Sequence, residues 1–171
     1  MGFPPYGGSF GPFGQGYSLQ NPRQEQALSY SVDVNILLYA SDQGNSLHGP
    51  AIRFLESRAQ DAELFCVGWS TLMAYLRIST HPAIFSSPLS PDEALGNIET
   101  LLKLPRVRIL TESEGFLDVY REVAGRFPVR GNLVPDAHLA ALLRQHGVRK
   151  IYTTDTDFKK FEFLQVFNPL H

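Results

Sequence analysis

Residues 31–40 read SVDVNILLYA. A short apolar run rich in Val, Ile and Leu, without Gly or Pro, predicts a buried β-strand that runs into a turn. Asp33 sits inside this run, and Asn35 follows two residues later. A carboxylate flanked by Val32, Val34, Ile36, Leu37 and Leu38 is costly to bury unless something meets its charge. Asp33 therefore links the fold to a chemistry.

Downstream, strand-like and helix-like stretches alternate. Leu47–Ala59 places Ala51, Ile52, Leu55 and Ala59 at helical spacing, with Pro50 in its first turn. Leu64–Val67 is a short apolar strand, and Ser70–Ser79 a helix with Leu72, Tyr75, Leu76 and Ser79 near one face. Ser90-Pro91-Asp92-Glu93 is a helix start: an N-cap serine, a proline at the first position and a glutamate closing a capping box. That helix runs to Leu104, before Pro105. Val107–Leu110 is a third strand. Glu114–Ala124 is a helix with Gly125 as its C-terminal glycine. Pro128–Val134 is a loop, and Pro135–Gln145 a helix closed by Gly147. Arg149–Thr153 is a fourth strand and Leu164–Phe167 a short fifth. Such alternation predicts βαβ crossovers. It gives a three-layer α/β domain with a central, mainly parallel sheet of four to five strands flanked by helices.

Residues 1–30 differ from the rest. They hold 6 of the 14 glycines, 4 of the 12 prolines and six aromatics, but only two charges, Arg23 and Glu25. This mixture sustains neither helical nor strand periodicity, so 1–30 is expected to be a disordered tail and 31–171 the folded domain. The tail has neither the basic start nor the continuous apolar stretch of a secretory signal. No run of 18 apolar residues is present, so no transmembrane helix is expected. One cysteine, Cys66, excludes a disulfide framework. These features suggest a cytoplasmic protein. The net charge of -2 excludes a broadly basic nucleic-acid wrapper; any nucleic acid must be held by a local patch or a metal.

The acids are placed to supply one. In a parallel sheet, ligands sit beyond the carboxyl ends of the strands. Asp33 lies in the first strand, Asp155 and Asp157 follow the fourth, and Asp136 opens the helix before it. All four can reach one sheet edge. Carboxylates gathered there repel one another unless a cation joins them, and hard oxygen ligands suit Mg²⁺ or Mn²⁺. Each acid has a plainer use: Asp136 at a helix N-terminus, Asp155 and Asp157 in a turn. Asp33 is the hardest to explain that way.

Taken in order, SVDVNILLYA, HPAIFSSPLSPDEAL, RGNLVPDAHLAALL and TTDTDF resemble the PIN-domain ribonucleases, specifically the VapC toxins of bacterial toxin–antitoxin pairs. The resemblance covers most of 31–171. It implies Mg²⁺- or Mn²⁺-dependent endonucleolytic cleavage of RNA, with Asp33, Asp136 and Asp155 as metal-site acids. Asp157 is then a further ligand or a supporting carboxylate. Asn35 and Thr154 are expected to orient ligands through hydrogen bonds. Arg77 and Lys159 are candidate RNA contacts. The implied partners are an RNA substrate, a cognate antitoxin and a second copy of the chain as a homodimer, with no membrane. Many family members carry a Glu where WSTLMAYLR has Ala74. Losing that acid favours one metal over two and raises an alternative: a PIN-like RNA- or protein-binding module with weakened catalysis.

Other residues are read as structural. The five histidines show no close metal-ligand pairing, and His138 is expected to face away from Asp136. Cys66 lies in an apolar run and is expected in the core. A haloacid-dehalogenase-type phosphotransferase shares the strand followed by D-x-D. The 14 residues after Asp157 are too few for that family's downstream catalytic elements.

Overall fold

The computed structural model describes residues 29–85 and 87–171. The expectation of a disordered tail falls on residues 1–28 outside this set. Ser29 and Tyr30, assigned to that tail by composition, instead begin the first strand, and Tyr30 is fully buried.

Five strands form one parallel sheet: β1 (Ser29–Val32), β2 (Leu64–Gly68), β3 (Val107–Leu110), β4 (Lys150–Tyr152) and β5 (Gln165–Phe167). Their order is β3-β2-β1-β4-β5. The register pairs Ser31 with Cys66 on one side of β1 and with Ile151 on the other. Six α-helices among the described residues connect them: α1 (Val34–Ser41), α2 (His48–Ala59), α3 (Trp69–Ser79), α4 (Pro91–Leu102), α5 (Phe116–Ala124) and α6 (Leu133–Gln145). A 3₁₀ turn spans Thr156–Lys160.

Alternation along β2 separates two cores. Phe65 and Val67 join Tyr30, Val32, Ile36, Leu72 and Ile98 on the face covered by α1–α4. Cys66, between them, joins Ile151, Leu142 and Val123 on the face covered by α5 and α6. Successive strand side chains point to opposite faces, so helices lie on both sides and the three-layer expectation holds. Outward steps from β1 carry helices on one face and the return to β4 carries them on the other, as right-handed crossovers require.

SVDVNILLYA is not one strand. β1 ends at Val32, Asp33 is the N-cap of α1, and Val34–Ser41 is helical. The Asp33 carboxylate accepts the Val34 amide at 2.6 Å, closing the first turn. Ile36 and Leu37 then meet the core. Short apolar runs satisfy strand and helix alike, and here the cap decides. The capping box at Ser90 and Glu93 is present as expected. Gly147 takes the left-handed conformation (φ 71°) after α6, whereas Gly125 stays right-handed at φ -74°. A Cβ at Gly125 would lie 2.8 Å from the Arg121 carbonyl, so closeness, not handedness, selects glycine there.

Candidate functional site

β1 is the strand from which the chain departs in two directions: β2 and β3 lie on one side, β4 and β5 on the other. Such a reversal opens a crevice beyond the carboxyl ends of the two central strands. Asp33 immediately follows β1, Asp155 follows β4 by three residues, and Asp136 lies in the first turn of α6. The Asp33 amide donates to the Tyr152 carbonyl at 3.0 Å, tying the two strand ends together.

Asp33 is 8% exposed. Its Oδ1 accepts from Val34, and its Oδ2 accepts the Thr153 hydroxyl at 2.9 Å. Thr153 Oγ1 in turn accepts from Asn35 Nδ2 and from the Asp155 amide, each at 2.9 Å. One hydroxyl thus joins α1 to the loop after β4. Asn35 Oδ1 is left buried without a hydrogen-bond partner, an unused oxygen acceptor beside the acids.

One carboxylate oxygen from each of Asp136, Asp155 and Asp157 lies within 4.8 Å of the others. At that spacing an ionised pair costs roughly 3 kcal/mol or more with an effective dielectric near 20. Burial pushes the Asp33 carboxyl up to about 6, against the hydrogen bonds from Thr153 and Val34. Asp136 also rises to about 6, first through burial and then through the charges of Asp33, Asp155 and Asp157. Lys160 answers part of this charge: its Nζ lies 2.8 Å from Asp157 Oδ1. The pair is nearly half exposed, so its attraction is well screened. One ammonium against four carboxylates leaves a surplus of negative charge. Hard oxygen donors at this spacing, two of them less acidic than usual, fit a divalent cation such as Mg²⁺ or Mn²⁺.

The four aspartates named from sequence therefore come to one edge. One supporting assignment changes. Thr153, not Thr154, holds the Asp33 carboxylate and the Asp155 backbone; Thr154 Oγ1 lies 3.4 Å from the Tyr39 hydroxyl instead. Consecutive residues after a strand point opposite ways, and counting did not select between them. Lys160, which the sequence reading did not place at the site, pairs with Asp157. Arg77 and Lys159 are exposed and make no side-chain ion pair among the described residues. Ala74 is half-buried on α3, a helix without any acid. His138 Nε2 lies 2.7 Å from Glu112, in keeping with a structural role. Cys66 is buried and its thiol is pushed up to about 11 by burial, which suits a core residue.

Fold and site together define an α/β domain with an acidic centre at its topological switch point. Residues 30–164 match the PIN domain model, and the chain belongs to the PIN-domain family. Within it, the chain is 40% identical over 142 residues to the Mycobacterium tuberculosis protein named Ribonuclease VapC48, covering 83% of this chain and 98% of that one. Ribonuclease VapC37 of the same organism is 31% identical over 77% of this chain and 90% of its own. Solved structures show the same fold. VapBC2 from Rickettsia felis, bound to a DNA fragment from their promoter, gives a TM-score of 0.61 at 17% identity over 82% of this chain and 98% of that one. Mycobacterium tuberculosis VapC20, a toxin that cleaves the sarcin–ricin loop, gives 0.58 at 19% identity over 76% and 92%.

Proposed function

We propose that this protein is a divalent-metal-dependent endoribonuclease toxin that hydrolyses RNA phosphodiester bonds and is inhibited by a cognate antitoxin. The observation that carries this reading is the convergence of Asp136, Asp155 and Asp157 beside buried Asp33 at the carboxyl ends of β1 and β4. The ribonuclease names of the VapC relatives support the substrate class. Asp136, Asp155 and Asp157 would hold Mg²⁺ or Mn²⁺, with Asp33 adjoining. Bound there, the cation supplies Lewis-acid polarisation of a phosphodiester and a more acidic water.

The chain's own residues prepare the site. Thr153 fixes the Asp33 carboxylate and the Asp155 backbone from one atom. Asn35 fixes Thr153. A cation held there would favour the ionised form of Asp136, which burial and the neighbouring aspartates disfavour, so occupation and charge would be linked. Lys160 offsets Asp157 at the solvent side.

The antitoxin would use an apolar cavity of about 270 Å³ between α1, α2, α3 and α4, lined by Leu37, Leu55, Leu72, Ile98, Leu101 and Leu104. The same proposal has the protein act in the cytoplasm as a homodimer. Among the described residues no helix is long and apolar enough to cross a membrane.

The test is cleavage of structured RNA with Mn²⁺, beside an Asp33→Asn variant. Cleavage abolished by the substitution supports the nuclease. Cleavage that persists in the variant sinks the site. RNA or antitoxin binding without cleavage at any metal concentration establishes the binding module that Ala74, in place of the family's Glu, brings into question.

A further inference from the structure

α3 begins at the residue after Gly68, where β2 ends. Extending the β1–β2 register from Ser31 opposite Cys66 puts Asp33 level with Gly68. Trp69 is therefore the next residue along the same sheet edge, one strand from Asp33. A Cβ at Gly68 would lie 2.7 Å from Leu142 Cδ2, so α3 also starts hard against α6, the helix that carries Asp136.

Trp69 is the chain's one tryptophan, and it is 46% exposed. Met73 is 47% exposed and Arg77 is exposed as well. Spaced at i, i+4 and i+8, these three residues form one stripe along α3. Leu72, Tyr75 and Ser79 take the buried side of the helix. An indole about half exposed beside a polar site offers an aromatic face to a ligand.

We propose that Trp69 and Arg77 form a platform for the RNA beside the carboxylates: an unpaired base stacks on the Trp69 indole, and Arg77 meets a phosphate further along the strand. The inference rests on the ribonuclease reading and names how that site receives its substrate. The charge of α3 suits a polyanion such as RNA. α3 holds no Asp or Glu and one Arg, and Ala74 keeps it so. Four aspartates repel a polyanion at the centre, so the approach needs attraction from beside it. Aromatic rings accept bases of any sequence, because every base has a stacking face.

One titration tests this. Labelled single-stranded RNA is added to the full-length Asp155→Asn protein with Mg²⁺, following RNA anisotropy and tryptophan emission together. Saturable quenching with the same midpoint as the anisotropy is expected. Trp69→Ala should weaken binding roughly tenfold, and Trp69→Phe should restore most of it. Arg77→Gln should lower the salt slope by about one. RNA binding with unchanged emission and unchanged affinity in Trp69→Ala overturns the platform and leaves the ribonuclease reading standing. A shift from dimer to monomer in Trp69→Ala, with RNA affinity intact, also overturns it and assigns the face to a second copy. If wild-type protein neither binds nor cleaves RNA, the ribonuclease reading has failed, and the platform with it.

Discussion

The Thr153 hydroxyl donates to Asp33 Oδ2 at 2.9 Å, joining two residues 120 positions apart in sequence. Because the same oxygen accepts from Asn35 and from the Asp155 amide, three polar groups depend on it. Thr153→Val keeps the shape and removes all three bonds. A fully buried group left unpaired costs about 1–3 kcal/mol, and only the Asp33 bond is fully buried while the other two partners can reach water, so a loss of roughly 2–3 kcal/mol is expected in urea unfolding. Mn²⁺ affinity by calorimetry should fall about 10–100-fold, and Thr153→Ser should keep most of both. Unchanged affinity in the valine variant would remove Thr153 from the site.

Protons and cations should compete at the site. Asp33 and Asp136 both sit near 6 in the fold against 3.8 in the free side chain. A raised acid stabilises the fold below its unfolded value and loses that contribution as pH climbs through the folded one. Metal-free protein should therefore lose stability between about pH 4 and pH 6. Mn²⁺ should reverse the trend, because it replaces the protons. Melting curves in EDTA and in Mn²⁺ across this range should diverge as pH rises; parallel curves would argue against a cation site.

Asp136→Asn separates stability from function. Removing one charge from the cluster relieves the repulsion from Asp33, Asp155 and Asp157. Once screening at this half-exposed position is allowed for, the metal-free variant should gain on the order of 1 kcal/mol. It should also lose Mn²⁺ binding and RNA cleavage. A variant that is less stable without metal contradicts the electrostatic account.

Ala74→Glu restores the acid that many family members carry on α3. Mn²⁺ should bind more tightly, because another hard oxygen joins the set. A stronger cation dependence of RNA cleavage is expected beside it. No change in Mn²⁺ affinity would place Ala74 outside the site.

Gly68→Ala tests the seating of α3. The added methyl would meet Leu142 Cδ2, whose side chain is 1% exposed and has little room to yield. Overpacking of this kind costs about 1–3 kcal/mol. Chemical unfolding should show that loss, while Mn²⁺ affinity should fall much less than in Thr153→Val.

Sequence alone established the alternation of strands and helices, the capping box at Ser90 and the four aspartates as one group. These follow from local periodicity, from caps, and from the rule that parallel strands deliver their ends to one edge. SVDVNILLYA misled because its apolar residues suit a strand and a helix equally. Only the bond from the Asp33 carboxylate to the Val34 amide ends the strand at Val32. Ser29 and Tyr30 were lost to the tail because composition averages over neighbours, whereas pairing with Leu64 and Phe65 is a contact between distant residues. The choice of Thr153 over Thr154 was likewise beyond counting. Adjacent side chains point in different directions, and which one meets Asp33 depends on a chain segment more than a hundred residues away. Residue type set the chemistry available to this protein; tertiary structure decided which atoms share it, because buried charge is tolerated only where distant partners arrive at hydrogen-bonding distance.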